Sequence, residues 1–262
     1  MDFFDKLSKK ASETYKVTAE KTTKIAKETK LKLEISNYKS NMEDLYKIVG
    51  KKIYQKYAAQ EEMQLEDIQD ELNKLVKTDI SLIHLDIMDG IFVSNKTWNI
   101  EEVKTFLNNS KPLDIHLMVS DVYKYVDEFK VLKPKYITFH LEAIDDAMEA
   151  IKYIKSLGIN VGLSIKPDTR VEKIIPYLPF IDLVLVMSVE PGRGGQKFIE
   201  NSISKIDKLK QLRGEYNYLI EVDGGINNET ISLVKNADIA VVGSFLTNGD
   251  YNKNLELLKE RI

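Results

Sequence analysis

The spacing of apolar positions divides this chain into two textures. Residues 3–59 hold no proline and one glycine, Gly50, and the apolar positions Ile35, Tyr38, Met42, Leu45, Val49 and Ile53 recur there in steps of three and four. Each step is about one helical turn, so these six residues share one stripe and predict a helix. The preceding stretch, KASETYKVTAEKTTKIAKETK, is lysine-rich, with Tyr15, Val17, Ala19 and Ile25 as partial apolar support. It predicts a weaker helix with charged flanks. Residues 1–62 are therefore expected to form a helical hairpin or coiled-coil-like arm.

Past Gln60 the period changes. Short β-branched runs predict strands at Leu82–Ile87, Leu113–Val119, Tyr136–Leu141, Asn160–Ile165, Leu183–Val189, Tyr218–Val222 and Ile239–Gly243. Amphipathic stretches lie between them, among them DVYKYVDEFKVL, IDDAMEAIKYIKSLG and SISKIDKLKQLRG, with Gly158 and Gly214 placed as helix stops. Regular strand–helix alternation predicts a parallel sheet covered by helices. Seven strands exceed what most open nucleotide-binding folds of this length use, so residues 63–262 are expected to form a (β/α)8 TIM-type barrel. The eighth strand is missing. A helical pattern, LEDIQDELNKLVKTD, stands directly before Leu82, so the absent unit is the first. LKLEIS, residues 31–36, alternates like a strand but is embedded in the longer helical pattern, and helix is the expectation there.

Charge reinforces the division. Residues 1–60 carry 14 Lys and 8 Asp/Glu, whereas the remainder carries 24 Lys/Arg and 33 Asp/Glu. The basic arm contains acidic residues and no arginine, which argues against a nucleic-acid role and leaves a solvated face as its expected character. A chain of 262 residues with 43% hydrophobic content can fill a substantial core. Cysteine is absent, which excludes disulfides, thiolate metal sites and a cysteine nucleophile, and fits a cytoplasmic protein. No apolar run is long enough to span a bilayer.

The chemistry concentrates in the strands. The three histidines fall in IHLDIMDG (His84), DIHLMV (His116) and TFHLEA (His140), at what read as equivalent strand positions. Asp86 alternates with His84 onto the same face, and Asp223 ends another strand in VDGGIN. Strand ends converge at the mouth of a parallel barrel. His84, Asp86, His116 and Asp223 are thus a two-histidine, two-carboxylate set suited to one divalent ion such as Zn²⁺, Mn²⁺ or Fe²⁺. The bland alternative is a buried ion-pair cluster. Glycine-rich turns follow three late strands: Gly192, Gly194 and Gly195 in VEPGRGGQ, Gly224 and Gly225 in VDGGIN, and Gly243 with Ser244 in VVGS. Such turns leave backbone N–H groups open to a phosphate.

HLDIMDGIFVSNKTW, KPLDIHLMV, YITFHLEA, VGLSIKPDT, VLVMSVEPGRGGQKF, IEVDGGIN and VVGS, in this order, resemble the ribulose-phosphate 3-epimerase family from about residue 64 onward. The resemblance implies a barrel enzyme that inverts C3 of a ketose phosphate, ribulose 5-phosphate to xylulose 5-phosphate, with Asp86 and Asp223 as its acid/base pair and a metal on the four residues above. It also implies that Met88, Met118 and Met187 line the site, that His116 also meets the substrate, and that the glycine turns with Ser244 take the phosphate. An alternative substrate is allulose 6-phosphate, and an alternative role is a non-catalytic barrel remnant that binds or assembles. A homo-oligomer is expected, with the arm serving self-association or an unidentified partner. The family's first strand, which runs like SPSLLSADF, has no counterpart here. Arg193 stands where an apolar residue is usual, and IKPDT replaces a more common asparagine–proline turn.

Overall fold

The computed structural model describes residues 65–107 and 111–262. The expected arm and the LKLEIS segment lie outside the described residues. The described chain begins with α1 (Leu65–Leu75), then alternates β1 (Ile83–Met88), α2 (Ile100–Phe106), β2 (Leu113–Met118), α3 (Val122–Phe129), β3 (Tyr136–His140), α4 (Ala147–Ser156) and β4 (Asn160–Ile165). It continues through β5 (Leu183–Met187), α5 (Asn201–Leu212), β6 (Leu219–Asp223), β7 (Ile239–Val241), α6 (Ser244–Thr247) and α7 (Tyr251–Lys259).

All seven anticipated strands are present, with ends within two residues of expectation. They pair in parallel in sequence order, β1 through β7. Consecutive right-handed crossovers in one direction curl such a sheet into a barrel wall. Among the described residues β1 neighbours only β2 and β7 only β6, so the wall is a half-barrel open at those two edges.

Local chemistry starts the helices where they begin. Asn99 opens α2 with a capping box: its Oδ1 accepts from Glu102 N at 3.0 Å, and Glu102 Oε2 accepts from Asn99 N at 2.8 Å. Asp121, Asp146 and Asp250 cap α3, α4 and α7 more simply, each carboxylate accepting from backbone N–H groups of the first turn. Gly158 sits just past α4 with φ +75°, the left-handed stop expected of it. Gly214 does not act this way, because α5 tightens into a 3₁₀ turn at Arg213–Glu215 that carries the chain through the glycine. After β4 two prolines in IPYLPF keep the crossover as short 3₁₀ turns.

Strand alternation sorts the core into two layers. Ile87, Ile115, Leu117, Phe139, Leu163, Val186 and Val222 face the helices and pack with residues such as Val126, Phe129, Ile154 and Leu209. Tyr136, Leu183, Leu185, Met187 and Val189 form a separate inner cluster inside the curl. No helix among the described residues is long and apolar enough to cross a membrane.

Candidate active site

The inward face of β1, β2 and β6 carries His84, Asp86, Asp114, His116, Glu221 and Asp223. Ligand-capable atoms of His84, Asp86, His116 and Asp223 all lie within 4.8 Å of one another, so the four residues nominated from sequence converge. Asp86 Oδ1 lies 2.9 Å from His116 Nδ1 and 3.3 Å from His84 Nε2. His84 Nε2 is buried and makes no hydrogen bond. The other nitrogen of that ring, Nδ1, pairs with Asp114 Oδ2 at 2.6 Å and stands 3.7 Å from Glu221 Oε1.

The histidines are not at equivalent strand positions, as the sequence suggested. His116 is opposite Asp86, while His84 is opposite Asp114, and His140 lies two residues beyond Thr138, the partner of His116. Each ring is thus one inward step further along its strand, forming a staircase with ring centres 5.4 and 4.9 Å apart. His116 Nε2 meets His140 Nε2 at 2.9 Å, and His140 Nδ1 meets Glu142 Oε2 at 3.3 Å. Glu142 Oε1 in turn accepts from the Lys166 backbone N–H at 3.0 Å and from the Thr169 hydroxyl. Room for this interior comes partly from Gly162, where a Cβ would stand 2.1 Å from Thr138 Oγ1.

The electrostatics split the two nominated aspartates. Burial opposes ionisation of Asp86, but the adjoining His116 and His84 rings outweigh it and hold this carboxyl far below its usual range. Asp223 is pushed up to about 6, by burial first and then by the charge of Asp86. Burial also works against a charge on His84, yet Asp114, Asp86 and Glu221 raise it well above an ordinary imidazole. Glu221 is pushed up to about 8 by burial and by Asp114. Asp86 and Asp223 beside the imidazole nitrogens of His84 and His116 make an environment that fits a divalent cation, with nitrogen and oxygen donors of the kind such ions take.

The remaining nominated residues lie at the same end of the sheet. Met88, Met118 and Met187 each close a strand. Met88 and Met118 pack together with Phe92 and Val93, whereas Met187 belongs to the inner cluster and is opposite Asp223. Gly192, Gly194 and Gly195 lie in the loop after β5, Gly224 and Gly225 in the turn after β6, and Gly243 precedes Ser244 at the start of α6. Gly192 has φ +102° and lies against Val93 in the β1 loop, where a Cβ would come within 2.8 Å. The same two loops are tied by Asn95 Nδ2 donating to Gly192 O at 2.7 Å. Asp89 binds the β1 loop to the β2 loop, accepting from Ser120 N and Oγ, each at 2.6 Å.

Asp114, Glu221, Glu142 and Asp89 were not anticipated. The first two carried a signal: in LDIHLM and IEVD they alternate with His116 and Asp223, the same pattern that singled out Asp86 beside His84.

Fold and site together define a parallel (β/α)-barrel protein with a histidine–carboxylate centre at the C-terminal end of its strands. The sequence model of the ribulose-phosphate 3-epimerase family matches residues 61–247. The chain belongs to the ribulose-phosphate 3-epimerase family, an isomerase-class enzyme family. It is 41% identical over 172 residues to a ribulose-phosphate 3-epimerase of Treponema pallidum, covering 64% of this chain and 79% of that one. To the Bacillus subtilis protein of the same name it is 37% identical over 182 residues, covering 66% and 83%. Among solved structures, 3-keto-L-gulonate-6-phosphate decarboxylase from Vibrio cholerae shares the fold at a TM-score of 0.54 and 14% identity, covering 74% of this chain and 91% of that one.

Proposed function

We propose that this chain inverts C3 of a ketose phosphate, interconverting ribulose 5-phosphate and xylulose 5-phosphate. The observation that carries the reading is the convergence of Asp86 and Asp223 with His84 and His116, in a group whose two aspartates are driven to opposite ends of the carboxyl range. Inverting a carbon beside a ketone requires one group to remove its proton and another to return a proton on the opposite face. Asp86, held ionised, suits the base; Asp223, protonated up to about pH 6, suits the acid, and the reverse reaction exchanges the roles. His84, Asp86, His116 and Asp223 would hold a divalent metal, which when bound would act as a Lewis acid on the negative charge developing on the substrate oxygens. Met88, Met118 and Met187 give that mouth an apolar wall that excludes water. The glycine turns after β5, β6 and β7, with Ser244, would present backbone N–H groups to the phosphate.

Turnover in D2O with metal supplied tests this. Solvent deuterium should enter C3, and no incorporation would overturn the reading. Comparing kcat/KM on ribulose 5-phosphate and allulose 6-phosphate fixes the substrate. The edges of β1 and β7, unpaired among the described residues, favour a second reading, a non-catalytic binding or assembly protein. It predicts a chain that takes up neither metal nor sugar phosphate.

A further inference from the structure

We infer that Glu142 and His140 form a positioning relay that fixes which nitrogen of His116 carries its proton and so keeps Nδ1 free as a donor to the metal. This rests on the metal reading given above, and it concerns side chains outside the four nominated ligands.

The argument is a count of protons along a line of four groups. Asp86 Oδ1, the His116 ring, the His140 ring and Glu142 Oε2 make three successive contacts of 2.9, 2.9 and 3.3 Å. Both ends of the line are carboxylate oxygens, which accept only, and two neutral rings bring two N–H groups between them. Three contacts share two protons, so one contact must go without. If it is the Asp86–His116 contact, His116 Nδ1 keeps a lone pair at the very place where the other candidate ligands converge.

The far end of the line decides where the gap falls. Glu142 cannot turn away, because Oε1 takes the Lys166 backbone N–H at 3.0 Å and the Thr169 hydroxyl. The segment carrying those donors is itself clamped: Lys205, almost wholly buried, donates to the carbonyls of Lys166 at 2.9 Å, Pro167 at 2.5 Å and Thr169 at 2.7 Å. Glu142 Oε2 is thereby held as an acceptor facing His140 Nδ1. His140 then donates from Nδ1 and offers Nε2 as an acceptor, so His116 can place its one proton on Nε2 and, with a cation on the ligand side, keep Nδ1 unprotonated. His84 is oriented by a shorter route, since Asp114 accepts from its Nδ1 and Nε2, without a hydrogen-bond partner, is turned toward the other candidate ligands.

An isosteric change should run the relay backwards. In Glu142→Gln the Lys166 N–H can only donate, so it retains the amide oxygen and turns the amide N–H toward His140 Nδ1. That nitrogen must now accept, His140 donates from Nε2, and the proton of His116 moves to Nδ1, where it competes with the metal. The test uses the full chain, stripped of metal and reloaded with Zn²⁺. Nitrogen-15 NMR of the histidine rings should report His116 as the Nε2–H tautomer and His140 as Nδ1–H. Titration of the stripped protein with Zn²⁺ against a chelator should show affinity falling about 10–100-fold in Glu142→Gln. Glu142→Asp, still acceptor-only, and Thr169→Val, which removes a hydrogen bond without reversing the line, should both keep the wild-type tautomers. Finding His140 as Nε2–H in the Zn²⁺-loaded wild type would overturn the relay, even if Glu142→Gln fails to fold. So would a folded Glu142→Gln with unchanged tautomers and affinity. Neither readout involves substrate. Expected tautomers with no C3 exchange would sink the epimerase reading alone, and exchange with the wrong tautomers would sink the relay alone.

Discussion

Strands β5 and β6 are neighbours in one sheet and line the same interior, yet they carry opposite chemistry. Opposite positions start alike, Leu183 beside Leu219, then diverge: Leu185 beside Glu221, and Met187 beside Asp223. On β5 the inward side chains are buried without cost and join the inner apolar cluster. On β6 Glu221 is buried and Asp223 half-buried, and both titrate above their ordinary range, chiefly because solvent has been withdrawn from them. A polar wall of this kind weakens the fold unless something is gained by keeping it. The contrast therefore separates a strand that holds the structure together from one arranged for chemistry, within a single pair of hydrogen-bonded neighbours.

The sharpest break comes from the polar side. Asp223→Asn removes one of the two proposed acid/base groups at constant shape and should lower kcat by about 10²–10⁴-fold, read by C3 deuterium exchange, with the urea midpoint unchanged or raised. On the other wall Leu185→Ala should do the reverse. It deletes a fully buried side chain and should cost about 2–5 kcal/mol in urea unfolding, while surviving folded protein keeps most of its kcat.

Acid should reveal the polar wall next. Burial pushes His140 down to about 4, so its contribution to stability is complete above its unfolded value of 6.5 and is lost as pH falls from there toward 4. Burial opposes ionisation of Glu142 too, but hydrogen bonds from His140, Thr169 and the Lys166 N–H bring it to about 2. Its contribution is complete above about 4.5 and disappears toward pH 2. Urea midpoints of the metal-free protein should fall through both windows, and Glu142→Gln should flatten the lower one. The smallest effect is expected from Asp114→Asn, which leaves every proposed ligand in place but loosens the hold on His84 Nδ1. Zn²⁺ affinity should drop by about 10-fold, near the lower end for loss of a partner that orients a ligand.

Much of this was legible in the sequence, and for a physical reason. β-Branched runs and alternation mark strands locally, and alternation also assigns side chains to faces, so His84, Asp86, His116 and Asp223 could be nominated together. The vertical offset between strands could not be read. Register depends on contacts between segments about thirty residues apart, which is why the three histidines seemed level and proved to be a staircase. Glu142 was missed because its role depends on loop atoms of Lys166 and Thr169, and Gly214 was misjudged because a 3₁₀ turn tolerates it where a left-handed stop was expected.

The tie between the β1 and β5 loops, Gly192 against Val93 with Asn95 bridging, bears on how a ligand would be received. Two mouth loops fastened to each other have few conformations left to surrender when something enters between them. Most of that ordering entropy is lost when the chain folds, so association would start from a mouth already near its bound shape. Asn95→Ala should therefore show itself in the entropy of ligand binding, leaving the enthalpy of contacts at the strand ends largely as it was.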